Sequence, residues 1–288
     1  MKLLTGKRDN KVFIGVLDST ETKVLSVNER ESMVECIAKG EKFLQEIKEK
    51  IQAASEEEYF SLEEVTLLSP VTKPPKNILC VGKNYVDHAI EMGSKDDIPE
   101  HLMVFTKAPT TIIGPNEQID NHLSITKQLD YEGELAIVIG KKGRNIKKED
   151  ALDYVFGYTI VNDITARDLQ AKHKQFFLGK SLDTSCPMGP VLVHKENLSD
   201  PNHLHIETKI NGEVRQSSNT KHFIFSVEEM ISTISLGMTL EPGDVIATGT
   251  PAGVGKGFQP PRFLNPGDQI EITIEGIGTL SNKVSEEI

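Results

Sequence analysis

Three acidic residues carry the clearest chemistry in this chain. In Asp130-Tyr131-Glu132-Gly133-Glu134-Leu135-Ala136-Ile137-Val138-Ile139, Glu132 and Glu134 stand two residues apart in a segment that reads as a strand. Side chains alternate across a strand, so both carboxylates share one face, a few ångströms from each other. Leu135, Ile137, Val138 and Ile139 are apolar on both faces, which marks an interior strand. Two like charges there repel, and each is costly to desolvate. A divalent cation removes both problems, although the same spacing also fits a solvated strand end. The third acid, Asp163, follows the strand-like run Tyr158-Thr159-Ile160-Val161 and precedes a short helix or turn over Thr165–Gln170. Alone it fits a helix cap. Combined with Glu132 and Glu134, and with no ligand cysteine nearby, it points to an oxygen-loving ion such as Mg²⁺ or Mn²⁺.

His88 and Glu91 form the next pair. Spaced three apart on a helix they share a face, so the carboxylate can orient the imidazole and raise its basicity. That arrangement activates a water or moves a proton, and it equally describes a surface pair beside a loop. The loop itself, Gly93-Ser94-Lys95-Asp96-Asp97-Ile98-Pro99-Glu100, is polar and hinge-like, so the helix could close as a lid. Thr250 lies in a glycine-rich turn that offers hydroxyl and backbone donors to a carboxylate. The turn superficially resembles a phosphate loop. Its spacing is one residue too long, however, and Gly257 stands where Ser or Thr should meet the metal. No Gly-x-Ser-x-Gly elbow occurs, which disfavours a serine hydrolase.

The elements that must position these groups are strand-rich. Val12–Leu17 reads as a strand, followed by a helix for which Asn28 and Glu31 are spaced as a capping box. Met33, Ile37, Leu44, Ile47 and Ile51 form that helix's apolar face. Three prolines in Ser69–Lys76 mark a boundary, giving a small N-terminal α+β domain over 1–72 and a second domain over 73–288. Asn77–Gly82 reads as a strand feeding a helix from Tyr85 to Met92, which Gly93 terminates. Asn211-Gly212 reads as a hairpin turn. Ser226 with Glu229 caps a helix whose apolar face includes Val227, Met230, Ile231 and Ile234. Ile270, Ile272 and Ile274 mark a half-buried strand. The class is α+β, mostly strand, with a core expected to close like a barrel.

Composition sets outer limits. The chain has 288 residues and a net charge of −11, without a basic cluster suited to nucleic acid or anionic membrane. No apolar run approaches a membrane span, and the first residues lack a signal-peptide core. Cys36, Cys80 and Cys186 are odd in number and widely spaced, as expected of reduced thiols in a cytoplasmic protein.

An ordered set of motifs resembles the fumarylacetoacetate hydrolase family, in its acylpyruvase and oxaloacetate decarboxylase-like branch. The set comprises Val81-Gly82-Lys83-Asn84-Tyr85, His88, Glu91, Glu132-Gly133-Glu134 and Asp163-Ile164-Thr165-Ala166-Arg167-Asp168-Leu169-Gln170. It continues with Gly179-Lys180-Ser181, Asn211-Gly212-Glu213 and Thr248-Gly249-Thr250-Pro251. The resemblance covers roughly residues 76–288, about three quarters of the chain. It implies the β-rich fold of that family's C-terminal domain, a homodimer, and a catalytic dyad of His88 and Glu91 on a lid. It also brings Lys180 to the active site and Arg167, Gln170 and Thr250 near substrate. For Arg167 a salt bridge with a nearby acid is the competing reading. Where the founding hydrolase has a further acidic ligand, this chain has Gly82-Lys83-Asn84-Tyr85, so three protein ligands are expected, with water completing the shell.

The activity implied is cleavage of a carbon–carbon bond in a small 2-oxo acid through an enolate, by acylpyruvate hydrolysis or oxaloacetate decarboxylation. The alternatives are an isomerase or decarboxylase of an unsaturated 2-oxo diacid, and a non-catalytic metal-dependent binding protein.

Overall fold

Apolar residues on both faces place the strand Gly133–Ile139 at the centre of the molecule, with all of its residues buried. The computed structural model, which describes residues 1–198 and 200–286, is a mixed α+β fold built round that strand. Val155–Asn162 pairs with it antiparallel, setting Gly133 opposite Asn162 and Glu134 opposite Val161. Val245–Ala247 flanks its other edge. In one direction the sheet continues through Cys186–His194, Lys2–Arg8, Lys11–Leu17 and Lys23–Asn28 to Tyr59–Ser61. In the other it runs through Ile78–Gly82 to Met103–Lys107. A second sheet of five strands carries His205–Ile210, Glu213–Asn219, Gln269–Ile274 and Gly278–Val284.

The alternation of the central strand divides the core. Leu135, Ile137 and Ile139 pack with Ile206, Ile270, Ile272 and Ile274 of the second sheet. Ala136 and Val138 share the opposite cluster with Met33, Ile37, Phe43 and Ile47. Each such aliphatic side chain contributes about 1.5–3 kcal/mol on full burial, enough to fix the strand's register. The large sheet is open, with Tyr59–Ser61 and Met103–Lys107 at its two ends. Instead of the expected barrel-like closure, the core is sealed by packing sheet on sheet. Residues 1–72 add their strands to the same sheet, Leu3 standing opposite Leu192.

One helix differs from its sequence reading. Asn28 does not cap it: its side-chain oxygen accepts from the backbone of Arg30 and Glu31 at 2.8 and 2.9 Å, which makes a turn. The helix starts at Met33 behind a capping box of Ser32 and Glu35, stops at Ala38, and resumes as Glu41–Ala53 after Gly40. The break rotates the apolar face, so Phe43 and Ile47 are buried while Ile51 is exposed. Other readings hold. Asn211 and Gly212 both take positive φ, 51° and 79°, as a tight two-residue hairpin requires. Val227–Ser235 begins where the Ser226 hydroxyl accepts from Glu229 N–H. Ile270, Ile272 and Ile274 are buried on one face of their strand.

Candidate metal and active site

The chain interrupts its pairing just where the carboxylates lie. Leu129–Asp130 is a separate short strand, so Glu132 sits in the gap before Gly133–Ile139 while Glu134 lies on that strand. Glu132 N–H donates to Asn162 Oδ1 at 3.0 Å, and Asp163 N–H donates to the Glu132 carbonyl at 2.9 Å. These two bonds bring the end of one strand against the start of its neighbour. As a result, Glu132, Glu134 and Asp163 each offer a carboxylate oxygen within 4.8 Å of the others, and all three are buried. The solvated-strand-end alternative does not describe this placement.

Buried carboxylates need counter-charges, and three cations are spread unevenly among them. Lys180 Nζ lies 2.7 Å from Glu132 Oε2 and 2.6 Å from Asp163 Oδ2. Arg167 holds the other Glu132 oxygen at 2.6 Å and Asp130 at 2.8 Å. Lys107, wholly buried, lies 2.9 Å from Asp163 Oδ1 and donates to the Ile164 carbonyl. Burial pushes the Glu132 carboxyl up, but Lys180 and Arg167 outweigh it and hold the group well below the usual range. Glu134 goes the other way. Burial, then the charges of Asp163 and Glu132, raise it well above an ordinary carboxyl. Among the described residues it has no ion-pair partner, and Gly249 N–H donates to it at 2.7 Å. Four buried carboxylates, counting Asp130, thus face three buried cations, and the unmatched charge falls on Glu134. An all-oxygen cluster one positive charge short fits a hard divalent cation.

His88 and Glu91 stand on the helix Val86–Glu91, which follows Ile78–Gly82. His88 is buried, and its Nδ1 lies 3.1 Å from Glu91 Oε2. The other Glu91 oxygen accepts from Gly253 N–H at 2.9 Å, clamping the helix onto the 249–257 turn. The pair is therefore enclosed and oriented, not a surface pair beside a loop. That clamp explains Gly257, where a Cβ would collide with the Glu91 carboxylate. Gly257→Ala is expected to displace the Glu91 carboxylate and lower kcat about tenfold or more, with little change in KM, since acid–base catalysis contributes about 10²–10⁴. Steady-state kinetics with a melting curve checks this; an unchanged kcat in a folded variant refutes it.

His88, Glu132, Glu134, Arg167, Lys180 and Thr250 all line one cavity of 380 Å³, and Gln170 lies on the same wall. Arg167 is committed to Asp130 and Glu132, as its ion-pair reading has it, with Gln170 Oε1 3.3 Å from its third nitrogen. The Thr250 hydroxyl is also occupied, donating to Gly133 O at 3.0 Å and accepting from Gln216 at 2.7 Å. What Thr250 can still offer is its backbone. Asp130 and Lys107 are site residues that the sequence reading missed. Asp130 accepts from Arg167, Tyr131, Gly255 and Lys256, and its signal was its place two residues before Glu132. Lys107 ends an edge strand and carried no signal. The three cysteines are free and buried; burial pushes the Cys36 thiol up to about 11 and that of Cys186 to about 12.

Comparison with known proteins gives the chain's relatives. The family model for the fumarylacetoacetate hydrolase C-terminal region matches residues 77–285. Among curated proteins, the chain is 56% identical over 301 residues to oxaloacetate tautomerase YisK of Bacillus subtilis strain 168, covering 99% of this chain and 100% of that one. Among solved structures, it is similar to a fumarylacetoacetate hydrolase from psychrophilic Exiguobacterium antarcticum, with a TM-score of 0.87, 45% identity and 100% of both chains covered. It is also similar to 2-hydroxyhepta-2,4-diene-1,7-dioate isomerase from Mycobacterium marinum, with a TM-score of 0.76, 32% identity, and 99% and 98% coverage.

Proposed function

The chain belongs to the fumarylacetoacetate hydrolase family and is an enzyme acting on carbon–carbon bonds; on that premise we propose a divalent-cation-dependent enzyme for short 2-oxo diacids of the oxaloacetate type. The observation that carries this reading is the buried cluster of Glu132, Glu134 and Asp163, one charge short of balance, of which Glu132 and Glu134 line the same cavity as His88. Mg²⁺ or Mn²⁺ held by those three residues would supply Lewis acidity toward the keto group and adjacent carboxylate of a 2-oxo acid.

The chain's own residues do the rest. His88, oriented by Glu91, exchanges a proton with the carbon next to the keto group, which interconverts keto and enol forms. Lys180, fixed by Glu132 and Asp163, supplies positive charge where an enolate oxygen develops. Loss of CO₂ from oxaloacetate instead leaves the enolate of pyruvate, with its negative charge on the same keto oxygen; its terminal carbon then takes up a proton, and no water attacks. Hydrolysis of an acylpyruvate needs His88 to take a proton from water. The name of the 56% identical relative favours oxaloacetate and proton transfer. The isomerase among the structural neighbours acts, by its name, on a longer unsaturated diacid.

A homodimer in the cytoplasm is part of the proposal. Exposed Met103 and Val104 on the open edge strand, beside exposed Phe177 and Leu178, support an interface there. Sedimentation is expected at twice the 31.9 kDa chain mass, and a strict monomer would contradict it. No helix among the described residues is long and apolar enough to cross a membrane. A panel of oxaloacetate, acetylpyruvate, fumarylpyruvate and unsaturated 2-oxo diacids with Mg²⁺ or Mn²⁺ tests the function. Oxaloacetate should be the best substrate, and exclusive turnover of the long unsaturated acids would overturn the assignment.

A further inference from the structure

The cations around the cavity are not equally available. Arg167 is held by Asp130 and Glu132, and Lys180 by Glu132 and Asp163. Lys83 lies 3.7 Å from Asp97. Two cavity-lining lysines, Lys174 and Lys256, have no ion-pair partner among the described residues. They differ in how they are held. Lys174 is exposed just past the end of the helix Arg167–His173. Lys256 is exposed too, but its backbone N–H donates to Asp130 Oδ2 at 3.1 Å, and the preceding Gly255 N–H donates to Asp130 Oδ1 at 2.7 Å. Asp130 also holds Arg167, so Lys256 is registered to the carboxylate cluster through one shared residue.

Charge completes the argument. With a divalent ion in the cluster, the four buried carboxylates and three buried cations leave one net positive charge, which the first carboxylate of a 2-oxo acid neutralises. A second carboxylate entering the same cavity therefore needs a further cation. We propose that Lys256 recognises the distal carboxylate of the substrate and so sets a preference for 2-oxo diacids over 2-oxo monoacids. Partial burial, then the neighbouring Arg167 charge, push the Lys256 amine down, and the Asp130 charge opposes them. The assignment deepens the proposed function and rests on it for the orientation of the first carboxylate.

The test uses a matched pair of ligands on the Mg²⁺-loaded full-length protein. Oxaloacetate and 2-oxobutyrate differ in carrying a carboxylate or a methyl group at the far end. Wild type is expected to bind oxaloacetate about tenfold tighter or more, because a charged hydrogen bond contributes about 1.5–3 kcal/mol. Lys256→Met should erase that preference by weakening oxaloacetate alone, and Lys256→Arg should keep most of it. Equal weakening of both ligands, an unchanged preference, or its loss in Lys174→Met in place of Lys256→Met would overturn the assignment. Wild type that prefers oxaloacetate without turning it over would contradict the proposed function and leave Lys256 standing. Wild type with no preference contradicts the Lys256 assignment whatever it catalyses.

Discussion

Glu134→Gln is expected to leave the metal-free fold at least as stable as wild type while abolishing both Mg²⁺ stabilisation and turnover. The amide keeps the size of the side chain and can still accept from Gly249 N–H. It also matches the charge state the site imposes, since burial and the charges of Asp163 and Glu132 raise the Glu134 carboxyl. A carboxyl raised in the fold opposes folding once pH exceeds its unfolded value of about 4.3. Metal-free wild type should therefore lose stability as pH rises from that value toward the raised one, and the variant should lack this loss. Mg²⁺ reverses the sign by favouring the ionised form. At about 100 times its Kd, the ion adds about 2.7 kcal/mol to wild type. That corresponds to a Tm rise of roughly 5–10 °C for a chain of this size. Thermal melts of both proteins across pH, with and without Mg²⁺, read all of these effects. A metal-dependent rise of equal size in Glu134→Gln would remove Glu134 from the site.

His88→Ala should separate the reactions. Proton transfer by a positioned base contributes about 10²–10⁴, so acylpyruvate hydrolysis and keto–enol exchange should fall by that factor. Decarboxylation of oxaloacetate needs no activated water and should survive in part. The fold should hold, because Glu91 keeps its bond to Gly253 N–H and the helix stays docked. Mg²⁺ affinity should be unchanged, since His88 is outside the carboxylate cluster. Kinetics on acetylpyruvate and oxaloacetate measure the split. Equal losses on both would assign His88 a shared role and end the proposed division of labour.

Much of the site was legible in the chain because its spacing is physical. Two carboxylates at period two beside an all-apolar run need a counter-ion once the fold buries them, and it buries both. The interior position of Gly133–Ile139 followed from residues apolar on both faces, as the burial confirms. Less legible was whatever depends on contacts between distant segments. Lys107 meets Asp163 from 56 positions away with no pattern to announce it. Asp130 looked like one more strand residue until Arg167, Gly255 and Lys256 converged on it. Thr250 lies in a turn rich in donors, yet Gln216 on a separate hairpin takes its hydroxyl. The helix after Asn28 was misplaced because two capping signals lie four residues apart, and Gly40 then breaks the periodicity.

Chelation of the purified protein, followed by stepwise return of Mg²⁺, tests the central claim most directly. Keto–enol exchange and CO₂ release are followed on oxaloacetate, with Glu134→Gln correcting for catalysis by free ion. The account predicts that both rates vanish on chelation. They should return at the same Mg²⁺ concentration that raises the melting temperature. Full activity after exhaustive chelation would contradict it.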